Sequence, residues 1–121
     1  MFDHLDIGVT DLARSKAFFL GALRPLGAGV AMEGPYGVGI GRGGKPSLWL
    51  SEATQTPAPL HLAFVADSRA QVDAFYQAAL AAGGRDNGAP GLRPEYHPDY
   101  YGAFVIGPAG HNVEAVCHKP A

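Results

Sequence analysis

His4-Leu5-Asp6-Ile7-Gly8-Val9-Thr10-Asp11-Leu12 decides the fold, because its pattern returns 57 positions later as His61-Leu62-Ala63-Phe64-Val65-Ala66-Asp67-Ser68-Arg69. The same shift aligns Ala13 with Ala70, Ala17 with Ala74, Phe18 with Phe75, Ala22 with Ala79, Leu23 with Leu80 and Gly27 with Gly84. Two copies at so long a period describe an internally duplicated domain whose halves pack on each other, and not a solenoid. Each copy opens on a histidine.

Within a copy the opening segment alternates: Leu5, Ile7 and Val9 point one way and His4, Asp6 and Gly8 the other, which is a strand. In the second copy Leu62 and Phe64 oppose His61, Ala63 and Val65. A helical pattern follows, apolar at Val72, Phe75, Tyr76, Ala79 and Leu80, and matched by Phe18, Phe19, Ala22 and Leu23 with Ser15 at the first position. Asp11 and Ser68 are the expected N-caps, Ser68 and Gln71 having capping-box spacing, and glycines (Gly27, Gly83, Gly84) close both helices. Two or three further strands complete each half. There a second shift, of 65, pairs Tyr36-Gly37 with Tyr101-Gly102, Ile40 with Val105 and Trp49 with Glu114. The larger shift implies eight extra residues in the second half, expected as a loop from Asn87 to Asp99 that carries Pro90, Pro94 and Pro98. The chain thus reads as one α+β domain of two modules, 1–53 and 60–121, joined by a Thr/Pro linker at 54–59.

With 121 residues, 47% hydrophobic and 17% charged, the chain suits one ordinary core. A net charge of −2 removes the electrostatic drive of a nucleic-acid binder. The longest charge-free run, Ala53 to Ala66, contains prolines and is too short to span a bilayer. Cys117 is the single cysteine, and Met-Phe-Asp-His at the start lacks a signal peptide's basic flank and apolar run, so a cytoplasmic protein is expected. A half of this size has little core of its own, and open sheet edges favour burial against a second copy, so a homodimer is expected.

Alternation in the last strand puts Asn112, Glu114, Val116 and His118 on one face and Val113, Ala115 and Cys117 on the other. The apolar set claims the helix side, which places Glu114 on the inner face with His4 and His61. Two imidazoles and a carboxylate make a facial triad that leaves positions open on a divalent ion. A structural zinc site would fill four positions from protein, often with thiolates. Taken singly, each histidine reads equally as a hydrogen-bonded strand residue, and Glu114 as a paired buried carboxylate.

With these residues in view the chain resembles the vicinal oxygen chelate superfamily, which includes glyoxalase I, extradiol dioxygenases, fosfomycin-resistance enzymes and bleomycin-binding proteins. The resemblance rests on the His4 to Leu12 stretch with the following Ser15 to Phe19 helix, on His61-Leu62-Ala63-Phe64, and on Phe104 to Glu114. It implies two tandem β-α-β-β-β modules forming a cupped, mixed sheet with helices on the outer face. It also implies one divalent ion (Fe, Mn, Zn or Ni) on His4, His61 and Glu114, chelating a small oxygenated substrate. Glyoxalase I carries a fourth ligand where the repeat here puts Trp49, and indole cannot ligate, so the resemblance points to three-ligand members. Phe104 stands where the fosfomycin enzymes have a phosphonate-binding tyrosine, and Gly107-Pro108-Ala109-Gly110 replaces the usual Asp-Pro-x-Gly turn. In many relatives the first module of one chain completes the site with the second module of another, so His4 is expected to meet its co-ligands either within the chain or across the dimer. The alternative is a non-catalytic drug- or metabolite-binding protein.

His97-Pro98-Asp99-Tyr100-Tyr101 gathers an imidazole and two phenols. Parity puts Tyr100 on the side of Gly102 and Phe104, with Tyr101 opposite. Tyr100 and His97 are the candidate catalytic groups, hydrogen-bonding substrate or moving a proton, unless the loop is packed by its own aromatics. Trp49, Phe104 and Tyr101 are the candidate substrate-binding walls, with core packing as the other reading of Trp49. Asp6 either orients a ligand or pairs with a basic residue. His111 is expected to be solvated in its turn, and His118 to sit where the last strand frays.

Overall fold

Each copy of the repeat forms its own four-stranded mixed sheet with one helix. The computed structural model describes residues 1–35, 37–55 and 57–121, so Tyr36, and Thr56 in the expected linker, lie outside the described residues. The first module runs β1 (Leu5–Val9), α1 (Leu12–Leu23), β2 (Gly29–Gly34), β3 (Gly37–Gly41) and β4 (Leu48–Glu52). The second runs β5 (His61–Val65), α2 (Arg69–Ala81), β6 (Arg85–Leu92), β7 (Tyr101–Ile106) and β8 (Asn112–Cys117). Strand orders are β1-β4-β3-β2 and β5-β8-β7-β6, with the opening strand parallel to the last strand of its module and the other pairs antiparallel. The expected cupped sheet is therefore two separate sheets within one chain.

The register confirms both repeat shifts. Asp6 pairs with Trp49 as Ala63 pairs with Glu114, and Gly39 pairs with Trp49 as Phe104 pairs with Glu114. Trp49 and Glu114 thus hold equivalent places in the two modules.

The helices begin where the caps require. Asp11 Oδ1 accepts from Arg14 N at 3.0 Å and Ser68 Oγ from Gln71 N at 3.1 Å, while the Gln71 side chain reaches back one residue further than a capping box would, to Asp67 N. Ser15, Phe18, Phe19, Ala22 and Leu23 are buried on α1, and Val72, Phe75 and Ala79 on α2. Each helix covers one face of its sheet and the two helices also pack on each other. Gly21 permits that approach, since a Cβ there would come within 2.8 Å of Ala82 Cβ. With the helix sides so occupied, the opposite face of each sheet stays open, and His61, Ala63 and Val65 are exposed along β5.

Two expectations are corrected here. The segment expected as a loop from Asn87 is half strand: β6 extends to Leu92, absorbing its extra residues in register shifts between Asp86 and Gly88 and between Gly88 and Gly91. An edge strand tolerates Pro90 because one row of its backbone donors faces away from the ladder. His111 is 1% exposed, not solvated, and its Nδ1 accepts from Leu60 N at 2.9 Å, tying the turn before β8 to the entry of β5. No helix among the described residues is long and apolar enough to cross a membrane.

Candidate functional site

Parallel pairing of β5 with β8 sets Ala63 beside Glu114, so His61, two residues earlier on the same face, is its diagonal neighbour. The side chains close that gap: His61 Nε2 donates to Glu114 Oε1 at 2.7 Å. Tyr100, just before β7, donates its phenol to the other carboxylate oxygen, Oε2. Glu114 is only 1% exposed and would be costly to bury unpaired, whereas the His61 side chain is about half exposed. One imidazole and one phenol therefore satisfy both oxygens of a buried carboxylate on the open face of the second sheet.

Tyr100 is held from several sides. Its ring meets Tyr96 edge-on at 5.1 Å and His118 at 5.1 Å, and His118 meets His97 at 5.4 Å. Below it Gly102 leaves little room for a side chain: a Cβ there would lie 3.1 Å from Tyr100 Cε1 and 3.2 Å from Glu114 Oε2. Burial first, and then donation to Glu114, hold the Tyr100 phenol well above its ordinary range.

The other expected residues are placed differently. The His97 ring meets His118, its carbonyl accepts from Tyr100 N at 3.0 Å, and its Nδ1 accepts from Asp99 N at 3.0 Å. Phe104 lies on the open face, its ring 6.0 Å from that of His61. Tyr101 points to the helix side, as the alternation requires, where it donates to Asp73 Oδ1 at 2.7 Å beneath Arg69; it does not line the Glu114 face. Asp6 accepts from Ser51 Oγ at 2.6 Å.

His4 is exposed and bonded to its neighbour Asp3 at 2.7 Å. Among the described residues, no three His, Cys, Asp or Glu side chains converge in a way that could hold an ion within one chain. In the first module Trp49 lies across Gly39, where a Cβ would meet the indole at 3.1 Å. The two modules trade sizes at paired positions, indole on glycine in one and carboxylate beside phenylalanine in the other. Trp49 lines a shallow cavity of about 380 Å³ with Met32, Glu33 and Glu52, consistent with a wall facing the open side. A larger cleft of about 480 Å³ runs along β5 between the modules, apolar with Leu5, Ile40, Leu62 and Phe64, and touching His61 at one side.

Sequence reading placed Gly102 with Tyr100 and His118 with Glu114 but gave neither a part in the site, and it passed over Arg93, whose backbone N–H donates to Tyr100 O at 2.7 Å. Gly102 and His118 share the inward parity of Phe104 and Glu114, a signal that was present. Arg93 depends on the β6 register, which its bulges conceal.

The sequence profile of the Glyoxalase/Bleomycin resistance protein/Dioxygenase superfamily matches residues 1–115. No curated protein matches the chain. Among solved structures, a glyoxalase/bleomycin resistance protein from Albidiferax ferrireducens T118 is 31% identical over 99% of each chain, with a TM-score of 0.83. A glyoxalase/bleomycin resistance protein/dioxygenase family enzyme from Burkholderia phytofirmans PsJN is 19% identical, covering 97% of this chain and 98% of its own, with a TM-score of 0.75. A glyoxalase-related enzyme from Fulvimarina pelagi is 17% identical, covering 97% and 87%, with a TM-score of 0.71. The last two likenesses show the fold alone.

Proposed function

This chain belongs to the Glyoxalase/Bleomycin resistance protein/Dioxygenase superfamily, and on that premise we propose that it is a divalent-metal-dependent enzyme acting on a small oxygenated molecule. The observation that carries the reading is the 2.7 Å approach of His61 Nε2 to Glu114 Oε1 on adjacent strands of an open sheet face. An imidazole nitrogen and a carboxylate oxygen so close suit one divalent ion of the Fe, Mn, Zn or Ni kind. The third donor is His4, exposed at the equivalent place in the first module, and a second copy of the chain brings it to His61 and Glu114 in a homodimer. The two open sheet faces and their unpaired edge strands give such a dimer its contact surface.

The ion supplies Lewis acidity for oxyanion charge on the bound substrate. The chain's own residues do the rest. Tyr100 fixes the second oxygen of Glu114, leaving Oε1 as the donor. Phe104 forms an apolar floor beside His61, and Trp49 of the other module provides a second aromatic wall.

Calorimetric titration of chelator-treated, untagged protein with Mn²⁺, Zn²⁺, Ni²⁺ and anaerobic Fe²⁺ tests this. One ion per site is expected, lost in His4→Ala, His61→Ala and Glu114→Ala. Mixing His4→Ala with Glu114→Ala chains recovers one of the two sites of the heterodimer if the site is shared, and none if it lies within one chain. Absence of binding by the wild-type protein overturns the metal reading. One observation favours a second reading, a non-catalytic binding protein: His61 and Tyr100 already satisfy both Glu114 oxygens with no ion. A metal-silent protein that still binds small aromatic or oxygenated molecules on this face would establish it.

A further inference from the structure

We infer that Arg93 is a binding residue for an anionic group, so that the ligand of this face is a small oxygenated acid carrying a carboxylate or a comparable oxyanion. The inference rests on the proposal that the open face of the second module is the small-molecule site, and it adds the charge of what binds there.

Register places Arg93 on that face. Beyond the last β6–β7 pair, Leu92 with Tyr101, the Arg93 N–H donates to Tyr100 O at 2.7 Å, making Arg93 the cross-strand neighbour of Tyr100. Neighbours paired in this way share a face, and Tyr100 is on the face of Glu114. The four strands of the sheet therefore contribute, in spatial order, His61, Glu114, Tyr100 with Phe104, and Arg93.

The side chain lies back along β6 on a bed shaped for it. A Cβ at Gly91 would lie 3.1 Å from Arg93 Nη1, and one at Gly88 would lie 3.3 Å from Nη2 and 2.9 Å from Phe104 Cδ1. With those side chains absent, the guanidinium settles 5.4 Å from the centre of the Phe104 ring, and Nη2 donates to Ala89 O at 2.8 Å. Cation–π contact and one backbone bond thus hold a side chain that would otherwise sample many rotamers. Among the described residues no carboxylate lies within 4.0 Å of it, unlike Arg42 and Arg69, which face Asp67 and Asp99. A half-buried guanidinium, held in place with several N–H donors uncommitted, presents a planar fork that matches a carboxylate. Phe104, whose ring also neighbours His61, spans the gap between this fork and the His61–Glu114 pair. A ligand anchored at both ends needs polar oxygen for the His61–Glu114 end and an acid group for the Arg93 end.

The test titrates 3,4-dihydroxybenzoate and catechol, which differ only in the carboxylate, into chelator-treated protein and again with Zn²⁺, following the Arg93 Nε–H signal by NMR. The acid is expected to shift that signal saturably and catechol to leave it in place. Arg93→Gln is expected to weaken the acid by about 10- to 100-fold, the worth of a charge-assisted hydrogen bond, and to leave catechol unchanged. Arg93→Lys keeps the charge without the fork and falls between, while Arg85→Gln, an exposed arginine at the start of the same strand, changes nothing. Equal affinity for the two compounds, or no acid-dependent shift at Arg93 in either condition, overturns the inference. If Zn²⁺, Mn²⁺, Ni²⁺ and anaerobic Fe²⁺ all have no effect while the Arg93 dependence persists, the metal reading fails and the acid site stands.

Discussion

Replacing Tyr100 by Phe isolates the bond on which the candidate site depends. The ring, its contacts with Tyr96 and His118, and its seat over Gly102 are kept, and only the hydroxyl that donates to Glu114 Oε2 is lost. Glu114 is 1% exposed, so the freed oxygen belongs to a buried carboxylate whose remaining partner is His61. An unmade hydrogen bond to a buried group costs about 1–3 kcal/mol, and about 2 kcal/mol is expected here because the half-exposed His61 edge admits some water. With an unfolding entropy of about 2.1 cal/mol/K per residue over 121 residues, that corresponds to a fall in Tm of about 8 °C. The assay is thermal and urea denaturation of metal-free protein at one fixed concentration, run as a double-mutant cycle with Glu114→Leu. In the Leu background no carboxylate remains to be orphaned, so Tyr100→Phe should cost less than about 0.5 kcal/mol. An equal cost in both backgrounds would show that the hydroxyl acts independently of Glu114 and would refute the reasoning.

The Tyr100 phenol is raised in the folded state, so its bond stabilises at every pH below its unfolded value of about 10 and is lost only as pH climbs through the folded value. Tyr76 and Tyr101 are also raised, by their bonds to Asp86 and Asp73, so absorbance titration at 295 nm should show several late-ionising tyrosines in the wild type and one fewer in Tyr100→Phe. Gly84→Ala should destabilise by about 3 kcal/mol or more in urea, since its Cβ would lie 2.3 Å from Val105 Cγ1 and 2.8 Å from Phe18 Cε1. His111→Ala should cost about 2 kcal/mol through a cavity and a lost acceptor for Leu60 N, with His111→Asn recovering part of it; an unchanged midpoint in both would show that the imidazole ties nothing down. Asp11→Ala and Ser68→Ala should each cost about 1 kcal/mol, the usual worth of an N-cap, and denaturation midpoints indistinguishable from wild type would discount the cap bonds.

The sequence alone determined the duplication, because burial of one strand face and one helix face imposes periods that survive divergence: 2 in His4 to Val9 and His61 to Val65, and 3.6 in both helices. It also determined that His61, Glu114 and Tyr100 share a face, since strand parity is local geometry. It could not reveal β6 within its Gly/Pro-rich segment, because bulges break the alternation that signals a strand, and Arg93 was lost with it. It misjudged His111, because a turn residue is buried or solvated according to what packs over it, here the entry to β5. Tertiary structure alone decided that Glu114 finds both its hydrogen-bond partners within one module while His4 stands apart in the other. Which residues share a face follows from the chain's own geometry; which faces meet depends on how the helices pack, and α1 against α2 leaves the opposite face of each sheet open.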